Sequence, residues 1–213
     1  MWSLLRTDLE YIIHCDINWK IIGPISKTHA HLPWVRETLF HYVTWSMVYN
    51  PILWKYWIQL KNPKKNDSSQ WWIRDMWVAW HNCYTQEEGE YKYLGFDQNL
   101  EKEANEEIWI HLRMLNDIES FRNKYNSGNQ WSIWYIFEVF PYNTKYDKER
   151  VGLWFIATSE TELHFNDGEV VDFKRYSPNE LLDFITSDKN SYSPTLKISY
   201  KKAERFRKEV LSS

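Results

Sequence analysis

Asp172-Phe173-Lys174 is the place in this 213-residue chain where residue types and spacing most suggest catalysis. In an extended segment, positions two apart point to one face, so a carboxylate and an amine would stand side by side there. If the later strands brought Glu138, Asp147 or Glu149 alongside, the group could hold Mg²⁺ and position an attacking water. Other chemistry-bearing residues are sparser. His14-Cys15-Asp16, His29-Ala30-His31 and His81-Asn82-Cys83 offer metal-ligand types, but none has a second pair at a recognised spacing. Neighbours one or two apart on a helix do not face each other, so neither cysteine gains a local histidine base. The glycines, at 23, 89, 95, 128, 152 and 168, are too scattered for a phosphate-cradling loop, and no G-x-S-x-G or H-E-x-x-H run occurs.

With Glu138 beside it, Asp172-Phe173-Lys174 resembles the acidic-x-Lys metal site of restriction-endonuclease-type nucleases. The resemblance covers three residues. It implies carboxylates holding Mg²⁺ and Lys174 helping to activate water. The plain reading of the same residues is the charged face of an edge strand. A second candidate is the basic tail, where Lys201, Lys202, Arg205 and Lys208 could bind phosphates and so a nucleic acid. The net charge of −3 makes no general case for such a partner. Acidic residues crowd positions 87 to 107 and read as a solvated face.

The elements that must position these groups are dominated by aromatics: 14 Trp, 14 Tyr and 10 Phe, more tryptophan than one core should use. The surplus suggests a protein interface, where Trp and Tyr are enriched. Between Thr38 and Trp54 no Asp, Glu, Lys or Arg occurs, and the stretch reads as a helix apolar nearly all round and therefore buried. Asn50-Pro51 then caps a second helix, over 52 to 61, although alternation there also suits a strand. A first helix over Ser3 to Cys15, a third over about 72 to 84 and a long one capped by Asp97 or Asn99 and running to about Tyr125 complete a helical half, 1–126. From Trp131 the period changes to two. Strands at 131–139 and 152–158, an Asn166-Asp167-Gly168 hairpin, a helix from Ser177-Pro178 and a basic terminal helix fill 127–213.

The expected fold is one α+β domain, a Trp-rich N-terminal helical half packed on a C-terminal antiparallel β-meander with flanking helices. No segment is long enough to span a membrane, no secretory signal is visible, and Cys15 and Cys83 read as free thiols, which together suggest the cytoplasm. The leading expectation is a non-enzymatic, inhibitor- or immunity-like protein that binds a protein partner through exposed aromatics and needs no cofactor. The alternatives are the Mg²⁺-dependent nuclease and a Trp-lined small-molecule pocket.

Overall fold

The computed structural model of the chain describes residues 10–61, 74–76, 79–87, 90–107, 111–127, 132–162, 170–187 and 190–211. It begins with strands β1 (Tyr11–Cys15) and β2 (Ile21–Ser26) and the one-turn helices α1 (Lys27–Ala30) and α2 (Pro33–Arg36). Strands β3 (Phe40–Asn50), β4 (Lys55–Lys61), β5 (Arg74–Asp75), β6 (Ala79–His81), β7 (Tyr84–Glu87) and β8 (Glu90–Tyr93) follow. Next come helix α3 (Phe96–Glu107), strand β9 (Arg113–Met114) and helix α4 (Ile118–Tyr125). The chain closes with β10 (Ser132–Asn143), β11 (Lys148–Thr158), β12 (Val170–Tyr176), α5 (Pro178–Thr186) and α6 (Pro194–Phe206), which runs into a π-helical turn, Arg207–Leu211.

The described residues of the expected helical half therefore hold more strand than helix, and the helices-on-meander architecture is wrong. The apolar stretch explains why. From Val43 to Asn50 every residue of β3 is buried, on both faces. A strand covered on both sides reads as a continuous apolar run, which periodicity cannot separate from a buried helix. What decides is the β-branched and aromatic content, Val43, Thr44, Trp45, Val48 and Tyr49, which suits a pleated surface.

Asn50-Pro51 is a hairpin turn instead of a helix start. Asn50 Oδ1 accepts from the backbone N–H of Ile52 at 2.9 Å and of Leu53 at 2.8 Å, and Trp54 closes the turn at φ 55°. Those two bonds are the ones an N-cap makes, so the residue type alone could not tell the two apart. The strands on either side pair antiparallel, Asn50 with Lys55 and Val48 with Trp57. Residues 52 to 61 are thus turn and strand. The described part of the expected first helix is β1, and those of the third are β5, β6 and the start of β7. The long helix is two, with β9 between them. The expected Asp-Gly hairpin turn lies outside the described residues.

The larger sheet has the order β12-β4-β3-β11-β10-β9, with β1, β2, β5 and β6 attached beside it. It is mixed, not an antiparallel meander: β10 runs parallel to β9, Ile133 beside Arg113 and Trp134 beside Met114. β7 and β8 form a separate hairpin.

The chain divides into two compact units. The first comprises 1–44, 79–100 and 138–152. Its core gathers Ile12, Ala30, Leu39 and Cys83, with Ile25 and Val35 packed against them. The second comprises 45–78, 101–137 and 153–213. Here Phe206 of α6 packs against Phe121, Tyr135, Phe137 and Phe155, while Trp134 and Trp154 lie 5.4 Å apart on neighbouring strands. The aromatics do fill a core, since Trp45, Trp57, Trp134 and Trp154 are all buried, while Trp34 and Trp54 stand exposed. Among the described residues, no helix is long and apolar enough to cross a membrane.

Candidate active site

Asp172 and Lys174 project from the same exposed face of β12, which ends the strand order and pairs with β4. Asp172 Oδ2 accepts from Arg74 Nη2 at 2.8 Å, and Lys174 Nζ lies 4.9 Å from the centre of the Tyr176 ring. Glu138 is on β10, and β4, β3 and β11 intervene between β12 and β10 in the sheet. Asp172 thus meets an arginine, the partner of an ordinary charged edge. Among the described residues, no group of three or more His, Cys, Asp or Glu side chains is placed to hold a metal ion.

The basic tail is split by burial. Lys201 and Arg205 are exposed on α6 and Lys202 is partly so. Arg207 turns inward instead, its Nε and Nη2 donating to the two Glu204 carboxylate oxygens at 2.8 and 2.7 Å. The Tyr56 hydroxyl donates to Glu204 Oε2 at 3.0 Å, and Lys208 Nζ stands 3.3 Å from Oε1. Burial alone would raise the Glu204 pKa. The Arg207 guanidinium outweighs it, with Tyr56 and Lys208 helping, so the carboxyl sits below its ordinary value. Tyr56 is held far above its own ordinary value by burial and by Glu204. A carboxylate this well paired is a structural anchor, and of the four tail candidates it engages Lys208.

The helix α3 carries the arrangement that the sequence reading passed over. Glu103, Glu106 and Glu107 fall at i, i+3 and i+4, positions that share one helix face. Leu100 and Ala104, fully buried, anchor the helix. Glu103 is itself buried, and its Oε1 lies 2.9 Å from Lys102 Nζ. The side chains of Glu106 and Glu107 lie outside the described residues. The donor set is carboxylate oxygen alone, with no thiol or imidazole, and that chemistry suits a hard dication such as Mg²⁺. In the sequence these glutamates belonged to an acidic run read as a solvated face. The signal that could have found them is the E-x-x-E-E spacing within a helical segment.

No protein-family model matches the chain, and no curated protein matches it significantly. Solved structures do. The crystal structure of DR0079 from Deinococcus radiodurans superposes with a TM-score of 0.60 at 15% identity, over 90% of this chain and 98% of that one. A solution structure of DR0079, described as a hypothetical Nudix protein, matches at 0.44 and 14% identity, over 98% and 99%. The MutT protein from Methanosarcina mazei Go1 matches at 0.52 and 8% identity, over 80% and 96%. A hydrolase of the Nudix family from Clostridium perfringens matches at 0.47 and 15%, over 78% and 97%. The fold is Nudix-like. That finding overturns the expected architecture and, with it, the expectation of a non-enzymatic, inhibitor-like binding protein.

Proposed function

We propose that the chain is a divalent-metal-dependent hydrolase acting on a phosphate-bearing substrate, with α3 as its catalytic helix. The observation that carries this reading is the run of carboxylates at Glu103, Glu106 and Glu107 on one helix of a Nudix-like fold. Those glutamates would hold Mg²⁺. When bound, the ion would supply neutralisation of phosphate charge and a more acidic water. Lys102, against Glu103, holds that carboxylate in one orientation, as a ligand set requires of its supporting groups. Hydrolysis at phosphorus also suits the chemistry first suggested by Asp172 and Lys174, moved from β12 to α3.

The test is hydrolysis of nucleoside di- and triphosphates with Mg²⁺ or Mn²⁺, followed by phosphate release and product chromatography. Glu106→Gln and Glu107→Gln should each lower turnover on the order of a hundredfold or more with the circular dichroism spectrum unchanged. Metal-independent turnover, or full activity in both variants, would defeat the proposal. Activity lost in Lys174→Ala but kept in both glutamine variants would return the site to β12.

A further inference from the structure

In the first unit, ionisable side chains gather under cover. His41 of β3 is 3% exposed, and its Nε2 lies 3.9 Å from Glu149 Oε1 of β11. The His41 Nδ1 faces the Leu39 carbonyl at 3.4 Å, an acceptor only. Nδ1 therefore carries the ring proton, which leaves a lone pair on Nε2 toward Glu149. Among the described residues, neither His41 Nε2 nor Glu149 Oε2 has a hydrogen-bond partner, although both atoms are buried. A protonated Glu149 has the hydroxyl that such a lone pair calls for, donated across a small closure of the gap or through one water.

The surrounding groups decide which charges are tolerable. The His81 ring lies 5.0 Å from that of His41, and the His31 ring 5.1 Å from that of His81. Arg36 of α2 grips Asp147 through two bonds, 2.7 and 3.0 Å. Lys27 acts on His81 from α1, and Tyr142 of β10 feels both Glu149 and Asp147. Charging His81 sets it against His41, His31, Lys27 and Arg36, while a charged His41 would meet His31 and Arg36 with only Asp147 among the charged groups to favour it. Ionising Glu149 puts a second carboxylate beside Asp147.

We propose that this array is a proton-controlled latch, which keeps the first unit closed only while His41 and His81 are neutral and Glu149 carries a proton shared with His41. Burial, before any neighbour, drives the His41 pKa down to about 4, and burial and then Asp147 drive that of Glu149 up to about 8. Burial and the other imidazoles hold His81 well below 6.5. The depressed histidines contribute stability that is present above pH 6.5 and lost as pH falls toward their folded values. The raised Glu149 contributes stability present below pH 4.5 and lost as pH rises through about 8. Below pH 6.5 two histidine losses outweigh one glutamate gain, so the latch is tightest near pH 6.5.

Two measurements test this on the full chain: a ¹³C titration of the Glu149 carboxyl by NMR, and urea unfolding from pH 5 to 9. The carboxyl should remain protonated at pH 7. The wild-type folding constant should fall by about tenfold per pH unit between 6.5 and 8, the slope of one proton. Glu149→Gln, which keeps the shape without the ionisation, should flatten that limb. Should that variant not fold, the wild-type titration still decides. A Glu149 carboxyl already ionised at pH 6, or a Glu149→Gln curve falling in parallel with wild type, would overturn the latch.

Discussion

Arg207→Met should damage this protein far more than loss of a basic tail residue ordinarily would. The guanidinium makes two bonds to Glu204, at 2.8 and 2.7 Å, in a pair whose side chains are only 11% and 9% exposed. It also lies 5.4 Å from the centre of the Tyr49 ring. Removing one partner of a buried pair costs about 3–5 kcal/mol, and Glu204 would keep only the Tyr56 hydroxyl and the largely exposed Lys208 ammonium. At roughly 1.4 kcal/mol per decade, that is a hundredfold to several-thousandfold loss in the folding constant. At roughly 2–4 °C per kcal/mol for a chain of this size, the melting temperature should drop by about 6–20 °C. Methionine keeps much of the apolar volume, so the loss reports on charge more than on packing. In Glu204→Leu/Arg207→Met no charge is left inside, and most of the loss should return. A residue of about 1–3 kcal/mol should remain, because the Tyr56 hydroxyl has lost its acceptor. Urea unfolding at pH 7, followed by tryptophan fluorescence, measures all three proteins. A single-variant cost below about 1 kcal/mol, the value of an exposed pair, would refute the reasoning. So would a double variant no better than the single.

Gly152→Ala places a methyl 2.6 to 2.9 Å from ring carbons of Phe96, so thermal unfolding should show a loss of about 1–3 kcal/mol. Combining it with Phe96→Leu should give back part of that loss, which an effect unrelated to the close approach would not do. Asn50→Ala removes the acceptor for the Ile52 and Leu53 N–H groups and the Nδ2 donor to the Glu160 carbonyl. It should cost about 1–3 kcal/mol by denaturant unfolding.

The later half of the chain was more legible than the earlier half, for a physical reason. Ser177-Pro178 announced a helix, and α5 begins there with a reciprocal cap: Ser177 Oγ accepts from Glu180 N–H and Glu180 Oε2 from Ser177 N–H. The strands expected at 131–139 and 152–158 fall on β10 and β11, although both run on into the stretch between them, to Asn143 and from Lys148. β3 is different because water never marks one of its faces. The proposed site was obscured in another way. E-x-x-E-E is meaningful only on a helix, and the segment holding it was expected inside one helix running to Tyr125, where five scattered glutamates look like solvation.

Strands covered on both faces raise a second question, since nothing in an apolar stripe tells them which register to adopt. Here the buried polar residues supply the answer. Thr44 Oγ1 donates to Asn82 Oδ1 at 3.0 Å within the first unit. In the second, Gln59 Nε2 donates to the Met76 carbonyl at 2.7 Å, and Asn50 closes its own turn and reaches Glu160. All three strand residues are 2% exposed or less. Sliding β3 or β4 by one position would leave the apolar side chains nearly as well buried, because both faces are covered. It would also carry each of these groups to the opposite face, unpaired and out of reach of water, at about 1–3 kcal/mol apiece. The polar residues that interrupt the most apolar stretch are therefore what make its pairing unique.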